Sequence, residues 1–138
     1  MNLEVWRLAI DFALFVLIWM VQLLIYPGFS HFESAGLARW HRIYTRNMTF
    51  IVAPLMIAQL GIAGYFFYAF PAMFATNVIY MTLTAACWIT TFIIFIPLHN
   101  RIDATPHDRT ISVKLTKLNW IRVVLWSLIL ALDFVLLY

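Results

Sequence analysis

The run TNVIYMTLTAACWITTFIIFIP, residues 76–97, carries no charged side chain in its 22 residues. At about 1.5 Å of rise per residue, a helix of that length crosses roughly 30 Å of hydrocarbon. A membrane β-strand would alternate in polarity over about ten residues. This run is continuous, so its backbone groups must pair within a helix. Three more runs, 5–26, 47–69 and 119–138, have the same character. Together they predict an all-α fold, a single integral membrane domain over residues 1–138 built as a bundle of four transmembrane helices. With 64% apolar and 11% charged residues, and a mean hydropathy of +0.90, no part of the chain reads as a soluble domain.

The first run is expected to be retained rather than cleaved as a secretory signal. Its head carries Glu4 and Arg7, its apolar stretch is too long, and Tyr26-Pro27-Gly28-Phe29 is no small-residue cleavage site. Cys87 is the only cysteine, which excludes an intrachain disulfide and a cysteine-based zinc site.

The segments between the runs set the topology. Residues 30–46 and 98–119 hold all four histidines and seven of the nine Lys and Arg residues. Both fall on one side of the membrane, opposite the termini, where Arg7 is the single basic residue. The positive-inside rule makes the two connectors cytoplasmic and the termini external. The net charge of +3 therefore reflects topology and contact with lipid headgroups. No nucleic-acid partner is expected, because no recognition module or basic-aromatic repeat is present.

Within the first connector, Leu37, Trp40 and Tyr44 recur at helical spacing, with Arg39, Arg42 and Arg46 on another face. This predicts an amphipathic helix before the second span, lying at the interface or running straight into it. Ser30 and Glu33 have the spacing of a capping box. His41 heads a stripe continuing through Tyr44, Met48, Val52, Leu55 and Gln59. Pro54 is expected to kink the second span, and Ala58, Gly61 and Gly64 to allow close approach, within the bundle or to another subunit.

Ionisable groups facing lipid cost at least about 2.5 kcal/mol, so polar residues in the spans should face inward. They form two layers. Near the termini are Arg7, Asp11 and Asp133, read either as an Arg7-Asp11 pair pinning the bundle or as two carboxylates in a proton relay. Near the connectors are Gln22, His31, Glu33, His41, His99, Asn100, Asn119 and Arg122. Of these, His31, Glu33, His41 and His99 are candidate ligands for iron, copper or zinc, and a bis-histidine haem between the second and third helices is a further candidate. His107, beside Pro106 and Asp108, reads as solvated.

Phe95-Ile96-Pro97-Leu98-His99-Asn100-Arg101-Ile102, followed by a polar loop and then Asn119-Trp120-Ile121-Arg122 opening the last span, resembles the anthrone oxygenase-like family of small four-helix membrane proteins. The best-matched positions are Pro97, Asn100 and Arg122, and the chain departs at Asn119, where that pattern would place a histidine. Tyr26-Pro27 and Trp40-His41-Arg42-Ile43-Tyr44 also look like a pattern of bacterial four-span proteins. The resemblance implies a bacterial inner-membrane enzyme that oxidises an aromatic, membrane-soluble substrate with dioxygen.

The residues permit a physical version of this. A cleft at the cytoplasmic headgroup level would be floored by Trp88 and Trp126, with His41 or His99 removing a proton, Arg122 holding the resulting oxyanion, and Asn100 and Asn119 nearby. The leading expectation is thus a small membrane oxidoreductase or oxygenase for a lipophilic small molecule, with a metal or haem as candidate cofactor. Two alternatives stay open. One is a non-enzymatic subunit or small-molecule binding protein, self-associated or held in a membrane complex. The other is a proton or small-ion pathway.

Overall fold

The computed structural model describes residues 3–137, with side chains described through residue 135. Its four long helices are α1 (Leu3–His31), α2 (Ser34–Ala69), α3 (Pro71–Ala104) and α4 (Arg109–Leu137). No strand occurs among the described residues. All four helices are long and apolar enough to cross a membrane. They run up, down, up and down in a ring in which α1 and α3 each pack on α2 and α4.

The outer face of the bundle is apolar, and polar side chains are held inside among an apolar core that includes Leu14, Ile18, Leu115 and Ile129. Arg7, Asp11, Gln22, His41, Gln59, Thr84, Asn119, Arg122 and Asp133 are buried, while Phe50, Ile51, Phe92, Ile93, Val124 and Val135 are exposed. A soluble bundle would instead put its charged side chains on the outer face. Lipid rewards this arrangement, since apolar side chains cost nothing against acyl tails and polar ones need partners. The chain is a multi-pass membrane protein whose outer face suits a bilayer.

The helices outrun the apolar spans. The amphipathic segment expected before the second span is continuous with it, so α2 has 36 residues and extends over about 54 Å. Only short links join α1 to α2 and α3 to α4. Arg109 stitches them together, donating from Nη1 to the Ser30 carbonyl at 2.6 Å and from Nη2 to that of Phe32 at 2.9 Å. The expected capping box does not form. Ser30 Oγ instead donates to the Pro27 carbonyl (2.7 Å), and Glu33 occupies the cap position without a side-chain bond. At the other end, Asn77 Nδ2 caps α2 by donating to the carbonyls of Phe66 (2.9 Å) and Phe70 (3.0 Å).

Two prolines that read as helix ends are absorbed. In α1 the turn Val21–Ile25 widens to a π-helix just before Pro27, and in α3 Thr91–Phe95 does so before Pro97. The Tyr26 N–H bonds back to the Val21 carbonyl and the Ile96 N–H to that of Thr91, both five residues earlier. A proline ring in an α-helix collides with the carbonyl four residues back. The extra residue in the widened turn relieves that collision, so the helix continues and its inward face is re-aimed. Tyr26 and Phe95 are among the fully buried side chains. α2 continues through Pro54. Among the small residues after it, Gly64 faces Met81 of α3, whereas a Cβ added to Gly61 would meet nothing within 4 Å.

Candidate functional site

Near the connector end, four side chains from α1, α2 and α3 form one hydrogen-bonded chain. Asp103 Oδ1 lies 2.8 Å from His41 Nδ1, His41 Nε2 lies 2.8 Å from His99 Nδ1, and His99 Nε2 lies 3.0 Å from the Tyr26 hydroxyl. With both imidazoles neutral, a carboxylate that can only accept fixes every other role. His41 carries its proton on Nδ1 and accepts at Nε2. His99 then donates from Nδ1 and accepts at Nε2, so the Tyr26 hydroxyl donates. Tyr44 and Arg122 line the same cavity as Tyr26. His41 is fully buried, while the Asp103 side chain is 32% exposed. The chain therefore runs from the bundle interior to the aqueous connector surface.

Tyr26, His99 and Asp103 of this chain all border one cavity of about 380 Å³ between α2 and α3, Tyr26 at its interior end and Asp103 at its connector end. That volume is within the range of small-molecule sites. Tyr26, Tyr44, His99 and Arg122 supply its polar end, and Met48, Val52, Met56, Trp88 and Phe92 its apolar walls. Thr49, Phe92 and Ile96 line it and are also exposed on the outer face, so it opens sideways toward lipid. The widened turn of α3 lies at this opening, with Thr91, Phe92 and Phe95 in the lining. Arg122 comes from α4, its guanidinium over the rings of Phe95 (4.2 Å) and Trp126 (5.5 Å). Its Nε has no protein partner. A buried cation held by aromatic faces with a donor to spare is suited to an anionic oxygen.

The sequence-derived candidates divide. His99, Asn100, Arg122 and Trp88 line the cavity, and His41 stands one hydrogen bond behind His99. Trp126 supports Arg122 from below. Asn119 is elsewhere, its side-chain amide paired with that of Gln22 at 3.0 Å and tying α4 to α1. Tyr26, Tyr44 and Asp103 are the additions that sequence reasoning did not assign. The His99/Asp103 spacing of four residues, one helical turn, was the available signal.

The ligand set His31, Glu33, His41 and His99 is not assembled. His31 and Glu33 are exposed, and both ring nitrogens of His41 are engaged by Asp103 and His99. Among the described residues, no three His, Cys, Asp or Glu side chains are placed to hold a metal ion. The bis-histidine haem does not fit either. The two rings stack with centroids 5.0 Å apart and share a hydrogen bond, leaving no space for a porphyrin between them.

The second layer lies toward the termini. Arg7 pairs with Asp133 of α4, not with Asp11. Asp11 instead accepts from Gln59 Nε2 (2.6 Å) and from the Tyr80 hydroxyl (2.8 Å). The Arg7 guanidinium also sits 3.9 Å from the Tyr80 ring centroid. This layer thus joins all four helices. Outside the spans, Asp108 accepts from the Thr110 hydroxyl (2.6 Å) and backbone N–H (3.0 Å) at the start of α4, and these bonds hold its pKa below the usual carboxylate value.

Compared with protein-family models, curated proteins and solved structures, the chain finds no match.

Proposed function

We propose that the protein is a small membrane oxidoreductase that takes a lipophilic aromatic molecule from the bilayer and deprotonates it for oxidation by dioxygen. The observation that carries this reading is the meeting, in one laterally open cavity, of an apolar wall, a buried cation and a proton chain leading to water. Those are the parts needed to make and hold a carbanion or phenolate away from solvent.

A substrate of the anthrone type, with an acidic methylene para to a carbonyl, illustrates the balance. Its C–H proton passes to the Tyr26 oxygen as the Tyr26 hydroxyl proton moves to His99 Nε2. The His99 Nδ1 proton moves to His41 Nε2, and that on His41 Nδ1 to Asp103 and the water beyond. Arg122 neutralises the oxyanion left on the substrate. The electron-rich carbanion adds dioxygen to give a peroxide anion, which takes back one proton through the same chain to become a hydroperoxide; this loses water and leaves a second carbonyl in place of the methylene. His99 and Tyr26 are the groups placed to handle the proton, and His41 and Asp103 position and drain them. No resident metal or haem enters this scheme, since the residues do not form a site for either.

The orientation follows the charges. Arg39, Arg42, Arg46, Arg101, Arg109, Lys114 and Lys117 all lie toward the connector end, so the proton chain opens to the cytoplasm and the termini face out, while the bacterial inner membrane is what the family resemblance implies. A second reading, a binding protein without turnover, is favoured by one feature, that both histidines are fully partnered within the chain. The two separate in lipid nanodiscs supplied with an anthrone. Turnover predicts oxygen uptake of one O2 per substrate oxidised, above that of empty nanodiscs. Quenching of tryptophan fluorescence without oxygen uptake would replace the enzyme reading with the binding one.

A further inference from the structure

Seven helical Ser and Thr side chains, Thr45, Thr49, Thr82, Thr90, Thr91, Thr116 and Ser127, bond back to a carbonyl four residues earlier. Thr84 does not. It is fully buried, and its hydroxyl has no protein partner. On α3 it lies one turn from Tyr80, which holds Asp11, and two turns from Thr91, which lines the α2/α3 cavity. Two other buried polar atoms without a protein partner belong to the groups at either end. Gln59 Oε1, in the Asp11 cluster, lacks a donor, and Trp126 Nε1, under Arg122, lacks an acceptor. Both residues are almost wholly inaccessible.

Buried polar atoms without protein partners are ordinarily satisfied by internal water. These three are stacked at successive levels of the bundle axis. Tyr80 and Thr84 are about 6 Å apart along their helix, as are Trp126 and Arg122, and Asp133 lies about 10 Å from Trp126. Each step is one to three water-sized hydrogen bonds long. The acidic layer itself reaches the far surface through a pocket of about 50 Å³ lined by Glu4, Arg7, Asn77 and Asp133, room for one or two waters.

We propose that this axis is a proton path that joins the terminal face of the protein to the α2/α3 cavity, running over Asp11 and Asp133, a water held by Gln59 and Thr84, and a water between Thr84 and the Trp126/Arg122 pair. The charged and titratable groups facing its acidic segment are Glu4, Arg7 and Asp11 of α1, Tyr80 of α3 and Asp133 of α4, with neutral Gln59 from α2. Leu14, Ile18 and Ile129 are buried aliphatic side chains of the same bundle interior. With the Tyr26-His99-His41-Asp103 chain at the other end, the path spans the membrane. The inference does not depend on the oxidation chemistry, because it concerns proton movement in the absence of any substrate.

Purified protein in potassium-loaded liposomes with internal pyranine tests it when valinomycin sets a diffusion potential. Proton flux should exceed that of protein-free liposomes several-fold and fall at least tenfold in Thr84→Val and in Asp11→Asn. Thr84→Ser, which keeps the hydroxyl, should retain it. Thr82→Val, on the outer face with its hydroxyl already bonded to Val78, should leave it unchanged. Flux equal to that of empty liposomes would overturn the proposal, as would a Thr84→Val variant that conducts like wild type or a Thr84→Ser variant that conducts no better than Thr84→Val. Oxygen uptake by the same preparations remains a separate readout, so failure of the path and failure of the catalytic reading are distinguishable.

Discussion

Replacing Asp103 by asparagine should release the fixed polarity of the hydrogen-bonded chain while leaving the fold intact. A carboxylate can only accept from His41 Nδ1, and that constraint propagates through His99 to make Nε2 of His99 the acceptor facing Tyr26. The amide introduced by Asp103→Asn can donate as readily as accept, so His41 can move its proton to Nε2, and His99 can follow. The stability cost is small. A hydrogen bond to a charged group contributes about 1.5–3 kcal/mol and a neutral one about 0.5–1.5, and because the Asp103 side chain is 32% exposed the loss should be about 1 kcal/mol. The chemical cost is larger, since a wrong tautomer in a carboxylate-histidine relay removes the base, and general-base losses run from about 10² to 10⁴ in rate. Nitrogen-15 NMR of histidine-labelled protein reads the tautomers directly. Wild type should show both rings protonated on Nδ1, and Asp103→Asn a mixture. Unchanged tautomers together with oxygen uptake within twofold of wild type would refute the idea that Asp103 sets the direction of the chain.

Arg7→Ala leaves Asp133 buried without its cation and should destabilise the bundle by about 3–5 kcal/mol in a reversible detergent unfolding titration. The double variant Arg7→Met/Asp133→Leu, which removes both charges, should recover much of that loss, and a double variant as unstable as the single would contradict the pairing. Arg122→Met should lower turnover about 10²- to 10³-fold, as expected when a donor to a developing oxyanion is removed, with Trp88 still quenched by bound ligand. The Asp108 cap titrates in a defined sense. Its pKa is depressed below the ordinary 3.8, so the cap is intact above that value and is lost as pH falls through the lower, folded-state value. Amide exchange at Thr110, corrected for the intrinsic pH dependence, should lose its protection only in that acidic range.

The four spans were legible because long, continuous apolar runs, two without any charge and two with one basic and one acidic residue each, have one physical solution in lipid. His41, Trp88, His99 and Arg122 were legible for a related reason, since a polar residue at the end of an inward-facing stripe has nowhere else to point. Asp103 was hidden behind Pro97. The proline reads as a helix end, yet the widened turn at Thr91–Phe95 lets α3 run on to Ala104, which places Asp103 one turn beyond His99. Tyr26 was obscured in the same way by Pro27. The Arg7-Asp11 expectation followed the helical spacing of neighbours on α1. Tertiary packing overrides it, because Gln59 and Tyr80 already occupy both oxygens of Asp11 and Asp133 arrives from α4. His31 and Glu33 were grouped with His41 by closeness in sequence, but α2 begins after them and they remain on the surface.

Anaerobic hydrogen-deuterium exchange at the acidic methylene of an anthrone, followed by mass spectrometry in D2O with the protein in nanodiscs, isolates proton abstraction from the oxidation that follows it. The account predicts exchange faster than in empty nanodiscs and slowed at least tenfold in both His99→Gln and Asp103→Asn. Exchange at the rate of empty nanodiscs, or at the wild-type rate in His99→Gln, would contradict it.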